Sequence, residues 1–501
     1  MIAGTALLAH PQRSTYNGYA SCKGCHPGVD TGIMESLHWT WEMTDAFTGN
    51  PVGKINVINN YCVAVPSNEP RCTSCHIGIG WKDNTFDHTD GDQIDCLICH
   101  DGSGTYEKIS TGGGDPVEGL DYNLITGSIT ADLTRNNCGI CHFYGGGDDG
   151  VKHGSMDSSL ADPSREVDVH MGGVADMSCT VCHSQGATHN IVGSRYSKGT
   201  LDNALCQNCH ADPHADSENG GTLDFHGSKV ACQTCHIPAY ARGGKATKMF
   251  WDWTTAGTKE AQEFDADGNV IYDKKKGSFT WAKNVVPEYV WFNGNVTHVT
   301  LDDTFMEGEV VTINKLEGDK DDPNARIFPV KRFTGIQPYD AGTGKLAIPN
   351  LMPYPADTDT DAFWKAFDWE LALTSGMEYV GRTFTGPVGN IATEMFWIQN
   401  HMVAPKAQAL QCYDCHSTYG QLQFAALGYE EPRATQLQTA AQSMVWGGYP
   451  IMEGDFVDTG DWMGILYVGE KPWIYSFTLS KYIYIEESAV SMDGGWAYFL
   501  K

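Results

Sequence analysis

The chain has 501 residues, 33 basic and 62 acidic, for a net charge of −29. So acidic a chain is not a general nucleic-acid binder, which must neutralise runs of phosphate, and it is disfavoured at an anionic membrane surface. No stretch approaches the ~18–20 apolar residues of a membrane span, and the length suggests about three domains.

Residues 1–10, MIAGTALLAH, are apolar but lack a basic leading segment; they fit the tail of an export signal and an apolar N-terminal strand equally well. From there to residue 240 the composition is mostly Gly, Asp, Ser and Asn, and Cys-x-x-Cys-His occurs seven times. The copies are Cys22/Cys25/His26, Cys72/Cys75/His76, Cys96/Cys99/His100, Cys138/Cys141/His142, Cys179/Cys182/His183, Cys206/Cys209/His210 and Cys232/Cys235/His236; the eighth is Cys412/Cys415/His416. With 17 Cys and 18 His in 501 residues, chance supplies roughly 0.02 copies. Each copy reads as a c-type haem attachment site, in which two thiols bind the porphyrin and the adjacent histidine ligates iron. Zinc ribbons do not require His after every second Cys, and disulfide frameworks do not repeat one spacing eight times. Eight haems c use sixteen cysteines and leave Cys62 free. Covalent haem attachment places the mature chain outside the cytoplasm, in the periplasm or beyond.

Connections such as 111–115 and 145–150 are rich in Gly and Asp. They allow brief helices around each motif and little sheet, with glycine where backbone approaches a porphyrin. From 241 to 390 the aromatic and β-branched runs 288–292, 296–300 and 309–313 read as strands, followed by a polar loop at 317–324. Across 391–416, Met395, Ile398 and Met402 fall at helical spacing, predicting a helix that ends in the last motif. In the tail, Trp462, Tyr467, Trp473, Tyr475, Tyr482, Tyr484, Trp496 and Tyr498 recur between glycines, which predicts β-hairpins for packing or attachment, or an arm wrapping the body. The fold expected is a multihaem cytochrome c of short helices and loops, with some β structure in 241–390 and a small β-module at the end. Its regions are a seven-haem core (1–240), a mixed α/β region with the eighth haem (241–440) and the aromatic module (441–501).

A low-spin haem needs a second strong axial ligand. Eighteen histidines less eight in motifs leaves ten: His10, His38, His88, His153, His170, His189, His214, His226, His298 and His401. His10 lies in a doubtful terminus, His88 in the polar loop FDHTDGD, and His298 in a strand remote from any motif. Setting these aside leaves His38, His153, His170, His189, His214, His226 and His401, seven histidines for eight irons. One iron is then short of an imidazole and is the natural place for chemistry. Sixteen methionines are available as ligands, and none is singled out.

The strings VINNYCVAVPSNEPRCTSCHIGIGWKD (57–83), CGICHFYGGGDDGVKHGSMDSS (138–159) and HWTWE (38–42) resemble the octahaem tetrathionate reductase family. So do PEYVWFNG (287–294), RFTGIQPYD (332–340) and NHMVAPKAQALQCYDCH (400–416). The resemblance runs from about 20 to 430 and stops before the tail. It implies one haem ligated distally by a lysine amine with a free cysteine nearby: the haem on Cys72/Cys75/His76, the amine of Lys152 in GVKHGS and the thiol of Cys62 in NNYCV. It also implies reduction of tetrathionate, or of nitrite and hydroxylamine to ammonium.

Lysine ligates only as the neutral amine. From an ordinary pKa near 10.4, deprotonation at pH 7 costs about 4.6 kcal/mol, so the bond is weaker than imidazole's and exchangeable. Tetrathionate takes two electrons at its central S–S bond, which a Cys62 thiolate can attack as in thiol–disulfide exchange. Eight one-electron centres exceed the six electrons nitrite needs. Octahaem nitrite reductases use a CxxCK site, absent here, and hydroxylamine oxidoreductase-like proteins, which need a tyrosine cross-linked to the haem, have different flanking strings. The partners expected are a redox protein (a quinol dehydrogenase or another cytochrome), a small anionic substrate and, through the tail, copies of itself. The competing expectation is a non-catalytic electron conduit or extracellular filament, wholly low-spin.

Overall fold

The structure is a computed structural model. It describes residues 10–45, 48–184, 189–191, 206–215, 220–441, 445–452, 454–491 and 494–495. Tail positions Trp496 and Tyr498 lie outside them.

Short helices carry the attachment motifs. Leu97–His100, Arg135–His142, Cys179–Cys182, Cys232–His236 and Cys412–Cys415 span four to eight residues each. One helical turn sets the two thiols and the histidine of Cys-x-x-Cys-His on neighbouring positions. The longest of these is started by a capping box: Thr134 accepts from the Asn137 backbone, and the Asn137 side chain accepts from the Thr134 backbone. Elsewhere the first half is mostly turns, with further short helices such as Val29–Met34, Tyr122–Gly127 and Gly220–Gly227 and one small ribbon of β1 (Glu42–Thr44) and β2 (Pro51–Gly53). Helices this short are marginal alone, so their order comes from what they pack against.

Two of them, Cys232–His236 through Thr234 and Cys412–Cys415 through Cys415, pack on Ile327 and Trp291 of a ten-stranded sheet. Its strands are β3 (Thr247–Asp252), β4 (Glu263–Phe264), β5 (Val270–Asp273), β6 (Gly277–Ala282), β7 (Glu288–Phe292), β8 (Val296–His298), β9 (Val310–Leu316), β10 (Arg326–Asp340), β11 (Lys345–Leu346) and β12 (Val388–Ile398). The order is β4-β5-β6-β3-β10-β12-β9-β8, with β7 and β11 also on β10. The β3/β10 and β9/β12 pairs are parallel; the others are antiparallel. The strands expected at 288–292, 296–300 and 309–313 are β7, β8 and β9, and residues 317–325 form the loop that follows.

The helix expected over 391–416 is absent: residues 388–398 are β12. Ile391, Thr393, Met395 and Trp397 are buried in strict alternation, a period of two that outweighs the coincident spacing of Met395, Ile398 and Met402. Eleven residues of β12 pair with β10, a ladder that no helix could replace.

The main core lies on one face of this sheet. Trp251, Phe279, Ile313, Phe333, Met395 and Trp397 pack there against Ile58, Tyr61, Val63 and Val151 from the motif-rich half. The tail forms β13 (Val445–Trp446), β14 (Tyr449–Met452), β15 (Phe456–Asp458), β16 (Ile465–Tyr467), β17 (Trp473–Ser476) and β18 (Lys481–Tyr484), an antiparallel meander. It has a core of its own, from Trp446 to Val490.

Candidate functional site

Cys62 stands on a tight turn. The Asn59 side chain accepts from the backbone of Tyr61 and Cys62 at 3.1 and 2.8 Å, and the Asn59 N–H donates to the Val63 carbonyl at 2.8 Å. Val63 has φ +64°, a left-handed conformation that costs a β-branched residue about 1–3 kcal/mol. The sheet holds this turn in place. Asn60 Nδ2 donates to the Phe333 carbonyl at 2.8 Å, and Tyr61 stacks on Phe333 with centroids 6.5 Å apart.

Lys152 approaches from the 145–150 loop. Its Nζ lies 4.9 Å from the centre of the Trp397 ring. Cys62 Sγ donates to the Gly146 carbonyl at 3.5 Å, and a side chain at Gly146 would meet Val151 at 2.8 Å and Lys152 Cβ at 3.6 Å. Cys62 and Lys152 thus border the same glycine. Both line a cavity of about 2630 Å³, with Cys72, Cys75, Cys141 and His142 on its walls.

Burial pushes the Cys62 thiol up, against the opposing pull of Lys276, Arg71, Lys248 and Lys54. Cys62 is therefore a thiol at neutral pH, less reactive than a thiolate. Lys276, Arg71 and Lys54 stand out as cations in a chain of net charge −29. Lys248 is buried among Phe279, Trp251 and Trp281, with Nζ 3.4, 4.2 and 4.7 Å from their ring centres, and burial lowers it to about 7. The sequence reading misses Lys248, Arg71 and Trp397; a lysine within the aromatic run TKMFWDW is the available signal.

The attachment motifs meet one another. Thiol contacts join Cys22 to Cys96, Cys75 to Cys141, Cys138 to Cys179 and Cys206 to Cys232. Electrostatic neighbours extend the series from Cys182 to Cys209 and from Cys235 to Cys412. Thiols of six motifs line this cavity, several times the ~300–1,000 Å³ of an ordinary ligand pocket.

Histidine rings oppose each other at one recurrent distance, three of the pairs with both rings on the cavity wall. The pairs are His26–His10 (6.3 Å), His142–His38 (6.0 Å), His100–His189 (6.3 Å), His210–His170 (6.1 Å), His183–His401 (6.3 Å) and His416–His226 (6.0 Å). Two imidazoles on one metal need this spacing: about 2.0–2.1 Å from metal to nitrogen and about 1.1 Å on to the ring centre give roughly 6.3 Å. The residues fit haem on that ground. Burial lowers His142 to about 3 and His401 to about 4, so both are neutral, the ligating form. His214 is the electrostatic neighbour of His236 and lies 3.6 Å from Asp224.

Three histidine placements differ from the sequence expectation, and the motif thiols differ in exposure. Cys25 is exposed, as are Cys182, Cys206, Cys209 and Cys412, whereas Cys22 is half-buried against Cys96; neither Cys22 nor Cys25 lines the cavity. Around Cys25, residues 23–28 are all exposed, and a Cβ at Gly24 would meet no atom within 4 Å. The motif turn itself is intact, with the Cys25 and His26 N–H groups both donating to the Cys22 carbonyl at 3.0 Å. His10, set aside for its terminal position, stacks on His26; the last turn before a motif can fold back on it whatever its place in the chain. His153, counted as a distal ligand, sits edge-on to Trp397 at 5.1 Å, because the sheet captures the segment following Lys152. His76 is enclosed by Trp39, Trp41, Trp81 and Phe86 with no exposure. Its Nε2 donates to the Trp39 carbonyl at 2.7 Å, and its Nδ1 accepts from Gly78 N at 3.0 Å. His88 lies 6.1 Å from His76, but both His76 nitrogens are engaged with backbone. Metal ligation by His76 requires exchange of the Trp39 bond. His298, in β8, also lines the cavity.

No helix among the described residues is long and apolar enough to cross a membrane. The family description "Cytochrome c bacterial" matches residues 248–419. No curated protein matches the chain. Among solved structures, octahaem cytochrome c from Shewanella oneidensis is similar over 84% of this chain and 96% of its own, with 41% identity and a TM-score of 0.76. The short motif helices, the sheets and the paired histidines thus belong to a multihaem c-type cytochrome with covalently bound haem, and the chain is a member of the octahaem cytochrome c family.

Proposed function

We propose that this protein is an exported octahaem reductase that delivers several electrons to a small oxyanion at the Cys62–Lys152 site. The observation that carries this reading is the convergence of Cys62 and Lys152 on one glycine, beside Cys72 and Cys75, within a cationic pocket of an acidic chain. Eight haems, one per motif, would supply electron storage and, at one iron, a coordination position. His10, His38, His170, His189, His214, His226 and His401 would hold iron as second imidazoles, and Lys152 would be the exchangeable amine.

The residues of the chain perform the rest. Arg71 and Lys54, which line the cavity with Cys62, draw an anion past the overall negative field and hold it there, and Lys276 adds to the positive field at the thiol. Once displaced, the Lys152 amine takes up a proton and adds a further positive charge. For tetrathionate, a Cys62 thiolate attacks an inner sulfur; the central S–S bond breaks, one thiosulfate leaves, and Cys–S–S–SO3⁻ remains. Two electrons then release the second thiosulfate and restore the thiolate. Because burial keeps Cys62 protonated, bound anion must arrive with the loss of that proton, and the thiol step accelerates with rising pH. Nitrite and hydroxylamine need no thiol. A quinol dehydrogenase or another cytochrome is the donor class.

Steady-state reduction of tetrathionate, nitrite and hydroxylamine by the holoprotein with reduced viologen tests this reading. Cys62→Ser abolishes tetrathionate turnover and spares nitrite turnover; Lys152→Ala lowers both. Equal loss of both substrates in Cys62→Ser rejects the thiol mechanism, and no turnover of any substrate rejects a reductase. In that event the motif contacts from Cys22 through Cys412 favour a conduit.

A further inference from the structure

Lys331 lies in the middle of β10 with no exposure to solvent. Its Nζ donates to the Val151 carbonyl at 2.7 Å and to Thr247 Oγ1 at 2.7 Å. Thr247, in β3, donates onward to the Gly150 carbonyl at 2.7 Å. Gly150 and Val151 are the two residues before Lys152, so both carbonyls leading into it are fixed from the sheet. Gly150 has φ +64°, and a Cβ there would lie 2.9 Å from the Ala246 carbonyl, so this segment runs flush against the approach to β3.

The sheet also receives the Lys152 side chain at the same rung. Lys331 pairs directly with Trp397 in the β10–β12 ladder, and Lys152 Nζ lies over the Trp397 ring. Cross-strand partners share a face, so Lys331 fixes the backbone and Trp397 the amine end.

A buried lysine is an expensive choice for an inward strand position that Leu or Met would fill more cheaply. Its hydrogen bonds are to a carbonyl and a hydroxyl, with no carboxylate among them. Burial, with Lys248 nearby, lowers it well below the ordinary lysine range. A neutral amine has two N–H groups, and both are used.

Resting on the proposal that Lys152 is the exchangeable ligand, we infer that Lys331, acting with Thr247, is a positioning residue that holds the 150–151 carbonyls and so sets how readily the Lys152 amine is exchanged. Lys331 touches neither substrate nor haem in this role.

The test is a pH titration of the ferric holoprotein by absorption and magnetic circular dichroism, following the lysine-ligated component as acid removes the amine. Weaker ligation moves the midpoint upward, because the amine competes with its own protonation. Lys331→Met moves it up by about one pH unit, a roughly tenfold loss, and the near-isosteric Thr247→Val moves it by about half as much. Asn314→Ala deletes another buried polar pair of the same sheet, with the Phe396 backbone. It lowers thermal stability without moving the midpoint. If Lys331→Met fails to load haem, Thr247→Val decides. A transition abolished by Lys152→Ala but unmoved in Lys331→Met and Thr247→Val overturns this inference alone. A transition that survives Lys152→Ala overturns the ligand assignment and this inference with it.

Discussion

Residues 10–240 and residues 247–398 reach order by different physics. The first carries seven of the attachment motifs on single turns and short helices, joined by glycine-rich loops. The second carries no motif and is a ten-stranded sheet with a conventional aromatic core. Yet the residues with chemistry to do, Cys62 and Lys152, take their positions from the second. Asn60 and Tyr61 lock onto Phe333, and Val151 packs into the sheet's core. The motif-rich half supplies reactive groups; the motif-free half supplies the coordinates at which they stand.

The contrast can be broken most severely at Phe333, which is fully buried beneath the Cys62 turn. Phe333→Ala costs about 3–5 kcal/mol of stability, and hydrogen exchange shows protection lost over 57–63 as well as in β10. Loss confined to β10 contradicts the positional role assigned to the sheet.

The next effect is smaller and depends on pH. Glu69 is buried with its carboxylate accepting from the Tyr379 hydroxyl at 2.9 Å, and burial raises it to about 7. The unfolded chain ionises this group near 4.5 and the folded one near 7, so the folded state binds the extra proton between them. The associated stability is complete below pH 4.5 and is lost as pH rises through 7, by about 3 kcal/mol in total. Glu69→Gln flattens that slope in denaturant titrations from about pH 5 to 8; an unchanged slope rejects burial as its cause.

At the third site the expected change is about 1 kcal/mol. Val63→Gly relieves the left-handed strain at φ +64° but removes a fully buried core side chain, and the two partly offset, leaving a net loss on the order of 1 kcal/mol or somewhat more. Cys62 alkylation should nonetheless speed up as the turn loosens, and its rate should rise with pH up to the elevated thiol pKa in both proteins. The smallest effect belongs to the tail. Truncation before Val445 removes a module with its own core and leaves haem content and turnover of the remainder unchanged.

The attachment motifs, the strands β7 to β9 and the hairpins of the tail are plain in the sequence, because each is a local pattern. Residues 391–398 mislead, since three apolar residues at helical spacing coincide with a period-two run, and only pairing with β10 decides between them. His10 and His153 show the limit of counting ligands: a ring's partner depends on how the chain folds back, and neither flanking sequence nor position carries that. Cys25 shows the same limit for the motifs themselves, which share one spacing but not one depth of burial. Lys331 and Thr247 are invisible from sequence for a related reason, being 84 residues apart. A lysine amid the apolar residues of FPVKRF marks only an inward polar position, and what it grips belongs to another region.

The eleven-rung pairing of β10 with β12 has an evolutionary consequence. A slip by one residue would present Arg332 where Lys331 stands and turn Phe333 outward, so the ladder tolerates no drift. The chain between these strands, residues 341–387, is not held to that register but is tied to the same core, since β11 pairs with the end of β10 and Leu346, Leu351, Phe363 and Ala372 pack there. Only its solvent-facing stretches, such as 354–358, can change in length or chemistry at little cost. Change confined to those stretches leaves the alignment of β12, and with it the reactive centre, intact.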